Sequence, residues 1–262
     1  MQKRTIVFIH GLWIHTSSWQ SWMNFFKAKG YPVMNPAWPG DSPTVEESRR
    51  NSGAIANRGV TEIADSYAKL ILTLPEPPIV IGHSFGGLIA QVILGRGIAA
   101  AGIAIDPAPI KGVWQLPFSA LKASLPVLAN PFNLKKALSL TFDQFRYGFA
   151  NAVPETEARD LYDKWTIPAP CRPLFQAAVA TFAGTETKVD TTNNTRGPLL
   201  ITGGEKDNIA PPVLGRASLK KYNGSVVTEF KLFTNRGHSL ILDHGWTEVA
   251  EYSFNWLYAH GL

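Results

Sequence analysis

The fold is decided by a stretch in the first third of the chain, Ile79-Val80-Ile81-Gly82-His83-Ser84-Phe85-Gly86-Gly87-Leu88-Ile89-Ala90. It begins as an apolar, β-branched run and continues as apolar residues at helical spacing. Between the two lies a serine with one glycine two positions before it and another two positions after it, the pattern G-x-S-x-G. A serine at so sharp a strand-to-helix turn has a strained backbone, and side chains at positions 82 and 86 would clash. The stretch therefore predicts a nucleophile elbow with Ser84 at its tip.

The context of this serine decides between two interpretations. Glycine and serine are common turn residues, so G-x-S-x-G on its own is a weak signal. Here the pattern stands between a buried-type strand and a helix, which favours an elbow. Such a turn lifts the Ser84 hydroxyl clear of the sheet and directs the first free N–H groups of the helix towards the space above it.

Composition limits the classes of protein that the chain can represent. Its 262 residues suffice for one large α/β domain, with or without an insertion, and 45% hydrophobic and 17% charged residues are typical of a globular protein. The net charge of +5 is scattered, and the tightest basic groups are only pairs, Arg49-Arg50, Lys135-Lys136 and Lys220-Lys221. We therefore expect no nucleic-acid partner. The single cysteine, Cys171, rules out an internal disulfide and suits a reducing compartment.

The pattern of the N-terminal residues predicts neither a signal peptide nor a membrane span. A short strand-like run from Thr5 to Ile9 is followed at once by His10-Gly11. No stretch elsewhere approaches the roughly eighteen apolar residues that a membrane span needs. We therefore expect a cytoplasmic protein with no membrane partner.

Strand-like and helix-like patterns alternate through most of the chain, as in an α/β domain with a parallel sheet. Strand-like runs, several of the continuous apolar kind found in doubly covered parallel strands, occur at residues 5–9, 31–34, 79–81, 102–107, 198–202 and 226–233. Amphipathic patterns predict helices over residues 18–29, 59–74, 212–222 and 243–258, besides the helix that follows Ser84.

The alternation stops between residues 108 and 196, where prolines, short helical patterns and aromatic residues take over. These aromatics are Phe118, Phe132, Phe142, Phe145, Tyr147, Phe149, Tyr162, Trp165, Phe175 and Phe182. They fit either a small core of this segment or the inner face of a helical cap that makes an apolar substrate pocket. We expect a cap over residues 108–196, inserted into an α/β core of residues 1–107 and 197–262, with most of the aromatics in the segment's own core.

A serine hydroxyl needs a neighbouring base to become a nucleophile, and that base needs a group that orients it. Among the six histidines, His238 follows the last predicted strand directly after a glycine, at the sheet edge where the elbow lies, and is the best base. His83 adjoins Ser84, but adjacent side chains diverge at such a turn, so we interpret it as a packing residue. His244 and His260 are interpreted as solvated or capping residues.

Two aspartates compete for the role of the orienting acid. Asp207 follows the penultimate strand in a glycine-rich loop, and Asp106 ends the strand after the elbow. Both lie at the carboxyl edge of the sheet, where open parallel sheets bind ligands. The order nucleophile, acid, histidine fits either residue. We favour Asp207, and the alternative role of Asp106 is to shape the pocket or begin the cap.

These motifs together resemble the α/β-hydrolase-fold serine hydrolases, in a form that carries a cap. The resemblance spans nearly the full chain and rests on His10-Gly11, Pro39-Gly40-Asp41-Ser42, Gly82 to Gly87, Gly203 to Pro212 and Gly237-His238-Ser239. It implies that the acid after the penultimate strand, Asp207, serves the histidine. It also implies that the N–H groups of Leu12 and Phe85 form the oxyanion hole.

Two features depart from the pattern of that family. The chain begins at what would be the third family strand, so the resemblance implies about six strands, mostly or wholly parallel, with the first two family strands absent. Position 41 is aspartate where many relatives have histidine, which we interpret as neutral for the chemistry.

The resemblance implies a serine hydrolase that cleaves carboxylic esters of small, largely apolar substrates through an acyl-enzyme. We expect a small-molecule substrate as partner and neither metal nor cofactor, since no His/Cys cluster has ligand spacing. Candidate substrate contacts are Trp13, His15 and Asp106, although packing suits the first two equally well. The same scaffold hosts C–C bond, lactone or amide hydrolysis and cofactor-free haloperoxidase or perhydrolase chemistry. A small-molecule receptor without turnover is a further, less favoured alternative.

Overall fold

The computed structural model describes residues 3–180 and 184–262, so Phe182 lies outside the described residues. The first part of the chain contains β1 (Ile6–Ile9), a 3-10 turn (Thr16–Trp19), α1 (Gln20–Ala28), β2 (Val33–Met34), α2 (Val45–Arg50), α3 (Ser52–Ile55), α4 (Val60–Ile71), β3 (Ile79–His83), α5 (Phe85–Gly95) and β4 (Ala101–Ile105). The second part contains α6 (Phe118–Leu128), a 3-10 turn (Pro131–Asn133), β5 (Ala137–Leu138), α7 (Phe142–Gly148), α8 (Glu155–Trp165), β6 (Ala169–Pro170), α9 (Arg172–Val179), β7 (Leu199–Gly204), α10 (Pro212–Leu219), β8 (Thr228–Phe233) and α11 (Trp246–Ala259).

The main sheet has six strands in the order β2-β1-β3-β4-β7-β8, and every neighbouring pair is parallel. This confirms the expected parallel sheet. Strands β1, β3, β4 and β7 are buried along their whole length, because helices cover both faces of the sheet. Since all six strands run the same way, their carboxyl ends share one edge, and the loops that follow them lie side by side.

Each face of the sheet has its own apolar core. On one face, Phe8 of β1 packs against Trp19, Trp22 and Phe26, with α11 beside them. The other face packs against α4, α5 and part of the middle segment. Among the described helices, none has both the length and the apolarity needed to cross a bilayer.

Two short helices lie where the sequence pattern predicted no element. Thr44 caps the first of them, α2, by accepting a hydrogen bond from the Glu47 N–H at 3.2 Å. Helix α3 follows with only four residues. Helices this short carry too few residues for apolar periodicity to show.

The middle segment, residues 108–196, contributes α6 to α9 and a separate antiparallel ribbon of β5 and β6. A backbone hydrogen bond of 3.0 Å from Ala108 to the Ser84 carbonyl joins the start of the segment to the elbow. Phe145 and Phe149 are buried, as core aromatics should be. Phe118 and Phe132 fit neither a core nor an inner pocket face, because 79% and 82% of their surface is exposed.

The glycines of the elbow are required by close backbone approaches. A Cβ at Gly82 would lie 2.0 Å from the Gly86 carbonyl oxygen, and one at Gly86 would lie 2.1 Å from the carbonyl oxygen of Ile9. Both neighbouring atoms belong to the backbone, so the main chain would have to shift. The clash expected at these two positions is therefore present.

Gly86→Ala is expected to lower the free energy of unfolding by about 3 kcal/mol or more, because the added methyl group meets fixed backbone. Gly53→Ala is the matched control, since nothing lies within 4 Å of a Cβ at that helical glycine. The control should change stability by less than about 1 kcal/mol, in the stabilising direction. Urea denaturation of both variants measures the difference, and equal effects would contradict the assignment of the elbow packing.

Candidate active site

The predicted site residues follow the carboxyl ends of five neighbouring parallel strands. Leu12 follows β1, Ser84 follows β3, Asp106 follows β4, Asp207 follows β7 and His238 follows β8. Three of the non-glycine residues with positive φ lie at this edge: Trp13 at 65°, Ser84 at 56° and Asp106 at 43°. Such backbone strain tends to concentrate at functional sites.

Ser84 occupies the turn between β3 and α5. Its φ of 56° and ψ of −122° are those of a strained turn. The residue is buried, with 4% of its surface exposed. The Ser84 N–H donates to the Ile105 carbonyl at 2.9 Å, which ties the turn to β4. Phe85 is the first residue of α5, so its N–H lies outside the intrahelical hydrogen bonds and is free to bind an anion.

The best base by position, His238, is oriented by the favoured acid. His238 Nδ1 lies 2.6 Å from Asp207 Oδ2, and both side chains are fully buried. The other oxygen of Asp207 accepts the N–H groups of Ile209 and Ala210, at 2.7 and 2.9 Å, which fixes the carboxylate. His238 Nε2 is buried and has no hydrogen-bond partner among the described residues. The imidazole is thus held on one side and has a free nitrogen on the other.

His83 has a role that the sequence did not reveal. Its Nε2 donates a 2.8 Å hydrogen bond to the His238 carbonyl, and the two rings lie 4.6 Å apart. Burial lowers the pKa of His83 well below its usual range, and the nearby His238 lowers it further. His83 is therefore a neutral donor that holds the His238 loop against the elbow, in addition to packing.

The loop that carries His238 is braced by a second buried group. The Arg236 guanidinium forms an ion pair with the buried Asp243 carboxylate and also donates to the Gly245 carbonyl at 3.0 Å. The Ser239 hydroxyl donates to the same carboxylate at 3.1 Å. These contacts close the loop on itself around His238. Sequence reasoning missed them, because two opposite charges seven residues apart carry no signal that they meet in the interior.

The loop after β1, residues 10–13, lies directly against the nucleophile. A Cβ at Gly11 would come within 2.7 Å of the Ser84 Cβ. In the part of the chain that the structure describes, the Leu12 N–H donates to no acceptor. It and the Phe85 N–H therefore remain the candidate oxyanion donors.

His10 holds this loop and lies beside Asp41, the residue that departs from the family pattern. Its Nε2 lies 3.0 Å from Asp41 and its Nδ1 lies 2.9 Å from the Gly11 carbonyl, with His10 and Asp41 both nearly inaccessible. Its ring also packs on Trp38, with centroids 4.9 Å apart. The Trp38 N–H donates to the same Nε2 at 3.2 Å, and among the described residues neither carboxylate oxygen of Asp41 has a hydrogen-bond partner, so the loop is held by the bonds of His10 to Trp38 and Gly11.

Trp13 and His15, two candidate substrate contacts, are both engaged within the protein. The Trp13 indole N–H donates to the Leu138 carbonyl at 3.0 Å, and its ring meets the edge of Phe149. Phe149 in turn packs edge-on against His238 at 4.8 Å. Both ring nitrogens of His15 are bonded, one to Ser17 and the other to the Ser42 carbonyl. His15 therefore links loops, and Trp13 lies in the aromatic group above His238.

The two remaining histidines, His244 and His260, lie near the protein surface. His244 is mostly exposed and pairs with Glu157 at 2.9 Å. His260 follows α11 and contacts the Trp256 carbonyl at 2.7 Å. Neither position suits a base for Ser84.

Asp106 is buried, and only one of its two carboxylate oxygens has a hydrogen-bond partner among the described residues. That oxygen accepts the Gly204 N–H at 2.7 Å. Burial raises the pKa of Asp106 well above its usual range, and the neighbouring Asp207 raises it further. The folded protein therefore holds the proton of this carboxyl more tightly than the unfolded chain does.

This raised pKa predicts a pH-dependent stability. Because the folded state holds the Asp106 proton more tightly than the unfolded chain, stability falls as pH rises above the ordinary aspartate pKa of about 3.9. Asp106→Asn removes this loss, so its stability relative to the native protein, measured by urea denaturation, should increase as pH rises above about 4. The exposed Asp160→Asn is the control and should run parallel to the native protein. If the stability difference between Asp106→Asn and the native protein does not change with pH, the raised pKa assigned to Asp106 is contradicted.

One group of side chains in the described part of the chain has the spacing of metal ligands. His83, Asp106 and His238 offer ligand atoms within 4.8 Å of one another, and all three are buried. An ion bound through the free nitrogen of His238 would occupy the atom that proton transfer from Ser84 requires. The two uses of this nitrogen therefore exclude each other.

Comparison with known proteins assigns the family. The model of the alpha/beta hydrolase family matches residues 6–252. The chain belongs to this family. A search of curated protein sequences found no match.

Solved structures share the fold of this alpha/beta hydrolase. A monoacylglycerol lipase from Paleococcus ferrophilus has a TM-score of 0.70 and 20% identity, covering 98% of this chain and 94% of its own. A methylesterase from Arabidopsis has a TM-score of 0.67 and 16% identity, covering 97% and 98%. An extracellular alpha/beta-hydrolase from a Paenibacillus species, described as homologous in structure and function to tobacco salicylic acid binding protein 2, has a TM-score of 0.66 and 19% identity, covering 95% and 96%. At these identities the likeness concerns the fold.

Proposed function

We propose that this alpha/beta hydrolase cleaves carboxylic esters through an acyl-enzyme on Ser84. The observation that carries the proposal is the buried bond between His238 and Asp207, which leaves His238 Nε2 free beside the elbow. An oriented imidazole next to a serine on a strained turn is the arrangement that activates a hydroxyl. The names of the structural neighbours, a methylesterase and a lipase, support an ester as the bond that is cleaved.

Each step of the reaction has a residue of this chain to perform it. His238 Nε2 takes the proton from Ser84 as the serine oxygen attacks the acyl carbon, and the N–H groups of Leu12 and Phe85 stabilise the oxyanion. When the intermediate collapses, the bond to the alcohol breaks and His238 gives the proton to the leaving oxygen. Water then attacks the acyl-enzyme with His238 as base, and release of the acid restores Ser84. Asp207 stabilises the imidazolium in both halves of the cycle.

We assign residues 108–196 the role of a cap over this site. Phe149 covers His238 and Phe145 stacks on Phe149 at 5.2 Å, so the surface facing the nucleophile from this segment is apolar. A small, largely apolar ester suits that surface. Ser84 itself is only 4% exposed.

The lone cysteine supports the proposed cytoplasmic location. Cys171 is buried, and burial raises the pKa of its thiol to about 11. A thiol of this kind is not reactive at neutral pH. We therefore assign Cys171 a structural role.

The proposal is tested by labelling with a fluorophosphonate, followed by intact mass, and by turnover of a panel of aryl esters. We expect one adduct on the native protein, none on Ser84→Ala, and a burst of phenol from the native protein. Ser18→Ala is the control, because Ser18 is as buried as Ser84 but lies in the 3-10 turn before α1. A native protein with neither adduct nor turnover would overturn the proposal and favour a receptor.

A further inference from the structure

Helix α6 turns apolar side chains towards solvent. Phe118, Leu121 and Leu125 recur at positions i, i+3 and i+7, which form one stripe along a helix. They are 79%, 50% and 48% exposed, and Val127 is the only buried residue of the helix. In a helix that only covers a core, the apolar stripe faces inwards. Here it faces outwards.

Two neighbouring residues enlarge this stripe. Leu116 precedes α6 and is 80% exposed, and Phe132, in the 3-10 turn after α6, is 82% exposed. We call the five residues Leu116, Phe118, Leu121, Leu125 and Phe132 the α6 surface. Exposed apolar side chains are unremarkable singly, but five of them on one helix and its two flanking segments indicate an interaction surface.

The charges around the α6 surface are almost all positive. Between residues 107 and 142 the chain has four lysines, Lys111, Lys122, Lys135 and Lys136, and no acidic residue. Two helices that contact α6, namely α7 and α9, add one acid, Asp143, and two arginines, of which Arg172 lies in α9 and Arg146 is paired with Glu155 at 3.2 Å. Lys122, Lys135 and Lys136 are exposed. The surface therefore combines protruding apolar groups with a cationic border.

We propose that the α6 surface docks the protein on a lipid–water interface that carries anionic headgroups. Apolar side chains on one face of a surface helix insert among acyl chains, while lysines at the border bind the headgroups. A second copy of the chain is a poorer occupant. A two-fold pairing through this face would set the lysines of one copy against those of the other.

The docked face is connected to the candidate active site. The segment that leads into α6 begins at Ala108, whose N–H donates to the Ser84 carbonyl at 3.0 Å. Helix α6 also packs on α7, which ends beside Phe149, the residue in contact with His238. Docking would thus place the site next to esters dissolved in lipid. This consequence for the substrate rests on the proposed function, whereas the binding itself does not.

The proposal revises the expectation of no membrane partner. That expectation depended on the lack of a stretch long enough to span a membrane. The lack of a spanning stretch has no bearing on a helix that lies flat on a surface. The outward direction of the stripe is a property of the tertiary structure.

The test measures co-sedimentation of the full chain with vesicles of phosphatidylcholine alone or mixed with phosphatidylglycerol in equal amounts. We expect binding to the anionic vesicles, and Leu116→Ser/Phe118→Ser should weaken it by about tenfold or more. Lys135→Ser/Lys136→Ser should weaken it about tenfold, and only on the anionic vesicles. Because these side chains are exposed, circular dichroism and the melting temperature should stay unchanged.

Matched variants elsewhere on the surface complete the test. Leu72→Ser/Tyr258→Ser removes apolar groups that are 69% and 74% exposed, and Lys27→Ser/Lys69→Ser removes two exposed charges. Both should bind within about twofold of the native protein. The proposal is overturned if the native protein does not sediment with anionic vesicles, or if the α6 variants bind as well as these controls. A native dimer that Leu116→Ser/Phe118→Ser dissociates would overturn it in favour of an interface between copies.

Discussion

Ser84→Ala should lower kcat for a cleavable ester by about 10⁶-fold, as removal of the nucleophile does in other serine triads. The hydroxyl oxygen is the atom that forms the acyl-enzyme, so no other group of the site replaces it. KM should change little, because the oxyanion donors and the aromatic cover remain. Steady-state kinetics on the best ester of the panel give both constants.

The same experiment distinguishes a lost nucleophile from a disturbed fold. Ser84→Ala should retain the melting temperature of the native protein within a few degrees, and Ser18→Ala should retain its kcat within about twofold. His238→Ala alone and the double variant Ser84→Ala/His238→Ala should each lose about as much as Ser84→Ala, because residues that act as a unit are not additive. A Ser84→Ala protein that keeps a hundredth of the native kcat would exclude the acyl-enzyme.

The fold was largely predictable, because the decisive features are local. The glycines at 82 and 86 specify a strand-to-helix turn whose close approaches leave no room for a Cβ. The buried apolar runs specify a parallel sheet covered on both faces. Helices α2 and α3 escaped prediction because their few residues show no periodicity, and α2 owes its start to the Thr44 cap.

The candidate site was predictable in its residues but not in its supports. His238 and Asp207 follow neighbouring strands, so the common direction of the strands brings them to one edge. The hydrogen bond from His83 to the His238 carbonyl and the ion pair of Arg236 depend on how two loops pack together. No periodicity or spacing in the sequence encodes such contacts.

The α6 surface could not be predicted at all. Apolar residues at helical spacing specify a stripe, but only the tertiary structure decides whether that stripe faces the core or the solvent. Phe118 and Phe145 look alike in the sequence, yet one is 79% exposed and the other fully buried. The difference comes from the packing partners of α6 and α7.

The second large effect is expected at the aspartate that orients His238. Asp207→Asn should lower kcat by about 10⁴-fold, because the amide neither holds the productive tautomer of His238 nor stabilises its charged form. Asp106→Asn should stay within about threefold of the native kcat, since an amide has the shape of the carboxyl, still accepts the Gly204 N–H and leaves the bond between His238 and Asp207 in place. The measurement is kcat at neutral pH for both variants, each checked for an unchanged melting temperature.

The opposite pattern, a large loss in Asp106→Asn and a small one in Asp207→Asn, would assign the orienting role to Asp106. The residual activity of Asp207→Asn carries further information. The Asp207 carboxylate is one of the causes of the raised pKa of Asp106, so its neutralisation allows Asp106 to ionise at lower pH. An ionised Asp106 beside His238 is then the remaining negative charge able to stabilise the imidazolium. The residual kcat of Asp207→Asn should therefore rise with pH, and this rise should vanish in Asp207→Asn/Asp106→Asn.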